Sequence, residues 1–96
     1  MRMLLLLAAF LPSAALGFQP LPIPQCSGFH KGASKEVQQE AQDCILRQHA
    51  AIAYNLTQGD TGKAVFYCAR NLDKAYGVAP RYGINMCSFA LAEMGH

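Results

Sequence analysis

The sequence predicts an all-α fold, a small three-helix bundle that follows an extended proline-rich arm and is held together by two disulfides. Three observations lead to this prediction. Apolar residues recur at helical spacing in three segments, and no alternating strand pattern of useful length occurs. Prolines occupy positions 20, 22 and 24, which favours an extended backbone. The four cysteines form an even set, as expected of a disulfide framework in an exported chain.

The N-terminus has the layout of a cleaved signal peptide. Arg2 precedes the apolar run Leu4–Leu11, and Ala15 and Gly17 supply the small side chains that signal peptidase needs, so the mature chain is expected to start at Phe18. The run is too short for a spanning helix, which needs roughly 20 apolar residues. We therefore expect a periplasmic or secreted protein with no stable membrane insertion after signal cleavage.

The chain accordingly divides into a signal peptide at 1–17, the arm and a loop at 18–34, and a disulfide-linked helical domain at 35–96. A domain of this size buries a small core and usually needs covalent support. One of the eight lysines and arginines is Arg2, so the remaining basic side chains nearly balance the six acidic ones. That balance argues against a nucleic-acid partner, which selects for a clear basic excess.

The first helix is predicted from about residue 35 to residue 57. Ser34 is a suitable N-cap, and Glu36 lies in the first turn, where a negative charge is favourable. The turn at 58–60 then separates this helix from the second one. The predicted apolar stripe of the first helix comprises Val37, Ala41, Cys44, Ile45, Ile52 and Leu56.

The second helix is predicted to begin after a cap at Asp60 or Thr61 and to end at Gly77, a residue typical of helix C-termini. Pro80 suits the start of the third helix, predicted over about 81–94. The predicted stripe of the second helix comprises Val65, Cys68, Leu72, Ala75 and Tyr76. The third helix should direct Met86, Cys87, Ala90, Leu91 and Met94 inward.

Helix geometry ranks the possible pairings of the four cysteines. With a rise of about 1.5 Å per residue, Cys68 and Cys87 differ in height by only about 3 Å, whereas Cys44 and Cys68 are about 10 Å apart along the axis. Cys44 and Cys87 are intermediate, at about 7 Å. The arm can fold back to bring Cys26 to Cys44. We therefore predict Cys26–Cys44 and Cys68–Cys87. The wide spacing lacks the close ligand pairs typical of zinc sites, so no metal or other cofactor is predicted.

The absence of a catalytic motif favours a non-enzymatic protein-binding module, such as an inhibitor, immunity or accessory protein that acts on another exported protein. Tyrosine gives a large contact area with a polar tip and is enriched at interfaces. Among Tyr54, Tyr67, Tyr76 and Tyr82, Tyr67 lies one position off the Cys68 stripe and is expected to be exposed, and Phe66 falls toward the side of the same helix. The alternative is that most aromatics of so small a bundle fill its core. The predicted contact residues are Phe29, His30, Tyr67, Arg70 and Lys74.

Two other function classes stay open. A small secreted hydrolase would use His49 or His30 together with an aspartate in a pocket. A carrier of a small apolar ligand would enclose a cavity lined by Met86, Phe89 and Met94. Separately, Asn55-Leu56-Thr57 matches the acceptor pattern for N-glycosylation, which matters only in a eukaryotic source.

Overall fold

The computed structural model describes residues 18–28 and 30–96, so the predicted signal peptide at 1–17 and the predicted contact residue Phe29 lie outside the described residues. Within the described ranges the chain forms three α-helices and no strand. They are α1 (Lys35–Leu56), α2 (Thr61–Tyr76) and α3 (Pro80–Glu93). The predicted all-α, three-helix fold is confirmed. None of these helices is both long and apolar enough to cross a membrane.

Local side-chain chemistry defines the helix ends at the predicted positions. The Ser34 hydroxyl accepts a hydrogen bond of 3.2 Å from the Val37 N–H, and the Asp60 carboxylate accepts one of 3.1 Å from the Lys63 N–H. Each side chain satisfies a backbone donor that has no partner inside the helix. At the other end of α2, Gly77 adopts the left-handed conformation with φ 70°, which costs glycine little.

Small side chains dominate the core. It comprises Ala50, Ala53, Tyr54, Ala64, Cys68, Ala69, Leu72, Cys87, Ala90 and Leu91. Alanine side chains allow two helix backbones to approach closely. Glycine at position 83 of α3 also permits a close approach to α2, because a Cβ added there would lie only 3.1 Å from the Ala69 Cβ. The disulfide Cys68–Cys87, with Cα atoms 6.1 Å apart, joins α2 and α3 inside this contact.

Several residues predicted to face the core are exposed instead. In α1, Leu56 is two residues beyond Tyr54 and therefore projects away from the buried Tyr54 face. Val37 is exposed because α1, with 22 residues, is longer than the 16-residue α2 and the 14-residue α3, so its first turns extend past them. The surface of the bundle also exposes three further residues of the predicted stripes, Ala75, Tyr76 and Met86.

The proline-rich arm lies along α1 and runs antiparallel to it, as three contacts show. The Leu21 N–H donates to the Asn55 Oδ1 (2.8 Å) and the Asn55 Nδ2 donates back to the Leu21 carbonyl (3.0 Å). Further along, the Gln48 Nε2 donates to the Pro24 carbonyl (3.1 Å). The arm ends at the disulfide Cys26–Cys44, with Cα atoms 5.7 Å apart. Both predicted disulfides are thus confirmed.

Candidate binding surface

One face of α2 presents cations and aromatic rings side by side. Lys63, Tyr67, Arg70 and Lys74 project within an arc of about 60°, since successive helical residues are rotated by about 100°. Phe66 flanks this arc, and all five side chains are exposed. Phe66 is 67% exposed and Tyr67 47% exposed. We call these five residues the α2 face.

Two shallow clefts border the Phe66 ring on the α2 face. On one side a shallow cleft of about 310 Å³ is lined by Lys63, Phe66, Tyr67 and Arg70. On the other side a cleft of about 280 Å³ is lined by Phe66, Ala69, Arg70, Asp73, Pro80 and Ile84, and so reaches α3. The Arg70 guanidinium carbon lies 6.0 Å from the centre of the Tyr67 ring, at the outer limit of a cation–π contact. The face therefore offers both positive charge and aromatic walls.

The α2 face brings together three of the five predicted contact residues, namely Tyr67, Arg70 and Lys74. His30 lies apart from the helix in the loop before α1, where its Nδ1 is 3.0 Å from the Lys31 carbonyl oxygen. Lys63 and Phe66 were not among the predicted contact residues. The signal for Lys63 was present in the sequence, because Lys63 continues the helical spacing that joins Tyr67, Arg70 and Lys74. Phe66 was expected at the side of this helix but was not named as a contact residue.

A second surface feature is an apolar cleft of about 400 Å³ between the three helices. It is lined by Gln42, Ile45, Leu46, Leu72, Tyr76, Val78 and Met86. Of the three residues predicted to line a ligand cavity, only Met86 does so. Phe89 is 63% exposed on the outer side of α3, and Met94 packs against the core. We call this feature the apolar cleft.

His49, one of the two histidines considered for a hydrolase, is half-buried beside the apolar cleft. Its ring meets Tyr76 edge-on, with ring centres 5.9 Å apart. Partial burial disfavours the charged imidazolium and lowers the pKa of His49 below its usual value of 6.5. In the part of the chain that the structure describes, no three His, Cys, Asp or Glu side chains form a group able to hold a metal ion.

Comparison with known proteins identifies no relative of this chain. No family model matches the chain. Neither a curated protein nor a solved structure matches it at a significant level. Arguments about function therefore depend on the surface itself.

Proposed function

We propose that this chain is an exported, non-enzymatic protein-binding module that uses the α2 face to mask or support another exported protein. The observation that carries the proposal is the placement of large and small side chains. Aromatic rings are exposed on the surface while alanines fill the core, so packing inside the bundle does not account for the aromatics.

Exposed aromatic side chains occur on both α2 and α3. The exposed large aromatics are Phe66, Tyr67, Tyr76, Tyr82 and Phe89. A single exposed apolar side chain needs no explanation, but aromatic side chains grouped on one face are typical of the centre of an interface. Tyrosine and arginine in particular are enriched among residues that contribute most to binding energy. Tyr67 and Arg70 provide both on the α2 face.

Rigidity of the α2 face also supports a role in binding. Tyr67 precedes Cys68, whose side chain is fully buried and bonded to Cys87 of α3. The backbone that presents the face is thus fixed to the neighbouring helix before any partner arrives. A face that is ordered in advance loses less conformational entropy on association, which favours tighter binding. Two disulfides are also typical of proteins that act in an oxidising compartment.

The test is retention of a partner by the purified mature chain from the exported-protein fraction of its source. We expect the wild-type chain and the variant Tyr82→Ser to retain the same protein, and the double variant Phe66→Ser/Tyr67→Ser to lose it. Tyr82 is a suitable control because it is an exposed aromatic on α3, outside the α2 face. Circular dichroism should show that both variants are folded. Equal retention by all three chains would contradict the proposal.

The apolar cleft favours a second candidate function, the transport of a small apolar ligand. Its volume of about 400 Å³ falls within the range of ligand pockets, which are mainly apolar with a few polar groups. Here Gln42 and Tyr76 supply polar atoms at an otherwise aliphatic wall. Fluorescence of 1-aminoanthracene tests this function. Met86→Lys should abolish dye binding, and Phe89→Lys, at an exposed site outside the lining, should not.

A further inference from the structure

The distribution of charge on the helices is uneven although the overall charge is nearly balanced. The α2 face carries three cations, Lys63, Arg70 and Lys74, and no acidic residue. Asp73 lies beside the face, in the neighbouring cleft that contains Phe66 and Arg70. The face therefore has a local positive character that the net charge conceals.

The spacing of these cations defines what they can contact together. Arg70 lies seven positions after Lys63, and Lys74 lies four positions after Arg70, which correspond to about 10 Å and about 6 Å along the helix. A partner must present negative groups over about 16 Å to meet all three. Between the cations, the rings of Phe66 and Tyr67 form a cleft that suits an apolar side chain.

A surface that binds an anionic membrane or a nucleic acid usually carries more than three cations. Membrane-binding segments typically cluster four to eight basic residues, and nucleic-acid sites require a basic excess over a whole face or domain. A carboxylate-bearing protein segment needs less charge, because arginine pairs with a carboxylate through two parallel hydrogen bonds. The combination of dispersed cations and an aromatic cleft thus favours an acidic peptide segment.

Resting on the proposed function, we infer that the α2 face binds an acidic segment of the partner protein. In this complex the carboxylates pair with Lys63, Arg70 and Lys74, and an apolar side chain of the same segment enters the cleft between Phe66 and Tyr67. The cations select the partner and orient it, while the rings provide the apolar contact area.

The test uses the folded mature chain and a fluorescein-labelled peptide in which glutamates flank a single phenylalanine. We expect Lys63→Glu/Arg70→Glu/Lys74→Glu to weaken binding of this peptide by about tenfold or more. The matched control is Lys31→Glu/Lys35→Glu/Arg81→Glu, which changes the net charge equally at exposed positions outside the α2 face and should bind as the wild type does. Binding should also weaken between about 0.1 M and about 1 M salt.

Further probes separate the competing explanations. A peptide with lysines in place of the glutamates should not bind, and one with serine in place of the phenylalanine should bind more weakly. Equal losses in both triple variants would mean that only net charge matters, and would overturn the inference. Preferential binding to phosphatidylglycerol vesicles or to duplex DNA would also overturn it. So would self-association that disappears in the α2 variant, since the occupant would then be a second copy.

A failure of the acidic-segment inference can be distinguished from a failure of the proposed function. The charge-reversed α2 variant can be tested for retention of the native partner alongside Phe66→Ser/Tyr67→Ser. If only the aromatic variant loses the partner, the α2 face is the binding surface but its partner is not recognised through acidic groups. If neither variant loses the partner, both proposals fail.

Discussion

At Gly83, α3 approaches α2 closely. A Cβ added at Gly83 would lie 3.1 Å from the Ala69 Cβ and 3.2 Å from the Ala69 Cα. Because one of these atoms is backbone, a side-chain rotation cannot relieve the contact. Alanine is favoured over glycine by about 1 kcal/mol in a helix interior, but overpacking in a core typically costs about 1–3 kcal/mol.

We therefore predict that Gly83→Ala lowers the free energy of unfolding, by up to about 2 kcal/mol once the helix preference is offset. The matched control is Gly62→Ala in the first turn of α2, where an added Cβ would meet only the Asp60 carboxylate at 3.6 Å. That substitution should be neutral or stabilising. Urea denaturation of both variants measures the difference. A stabilised Gly83→Ala variant would show that α2 and α3 are not in close contact there.

His49 makes the stability of the fold depend on pH. Its pKa in the folded protein is lowered by desolvation, whereas in the unfolded chain the pKa is close to 6.5. As the pH falls through about 6.5, the unfolded chain takes up the proton first, so the free energy of unfolding should decrease. The decrease should end below the folded-state pKa.

Denaturation at a series of pH values between about 7.5 and about 5 tests this dependence. The variant His49→Gln should have a flatter profile in this window, because it removes the group that titrates. Tyr76→Phe serves as the control, since it retains an aromatic ring beside His49. An unchanged slope in His49→Gln would show that another group causes the pH dependence.

At the scale of elements, the docking of the arm on α1 depends mainly on side chains of the helix. Prolines at 20, 22 and 24 leave the arm few N–H donors, and Asn55 satisfies both the N–H and the carbonyl of Leu21. In this arrangement the Asn55 Nδ2, the atom that a glycan would modify, already donates a hydrogen bond. Asn55 of the motif at 55–57 therefore has a structural role in holding the arm.

We predict that Asn55→Ala costs about 1–3 kcal/mol in the free energy of unfolding, because it leaves two partly buried backbone groups of Leu21 without partners. Hydrogen exchange at the Leu21 amide should accelerate at the same time. Gln39→Ala is the control, since the Gln39 amide donates only to the exposed Asp43 carboxylate. Slow exchange at Leu21 in Asn55→Ala would mean that the remaining contacts of the arm, the hydrogen bond from Gln48 to Pro24 and the disulfide Cys26–Cys44, are sufficient to hold it.

The sequence predicts those features that local chemistry determines. Caps such as Ser34 and Gly77 depend on neighbouring residues, and the disulfide pairing follows from helix rise and turn position. The direction of each helix face was less predictable, because apolar periodicity cannot tell a core stripe from an exposed one. In α2, Cys68 and Leu72 of the predicted stripe are buried, whereas Tyr76 of the same stripe is exposed. Close helix contact at alanine decides which stripe is buried, and this depends on all three helices together.

At the scale of the whole molecule, the side chains that stabilise the fold differ from those of the proposed binding surface. The largest fully buried side chains are Leu91, Cys68 and Cys87. With so few large apolar groups inside, the bundle depends on close backbone packing and on two disulfides, each of which contributes about 3 kcal/mol in the chain-entropy model. Substitution of the exposed aromatics should therefore have little effect on the fold.

This separation predicts opposite outcomes for two residues of α3 that lie two positions apart. Leu91→Ala should cost about 2–5 kcal/mol in the free energy of unfolding, because Leu91 is 0% exposed and its truncation leaves a cavity that the rigid alanine core cannot fill. Phe89→Ala should change stability by no more than about 0.5 kcal/mol, although it removes the larger side chain, because the ring is mostly in solvent. Both variants introduce alanine, so chemical denaturation compares mainly the burial of the side chain that is removed. A comparable loss in Phe89→Ala would show that this ring packs into the fold, and would weaken the argument that surface aromatics are kept for binding.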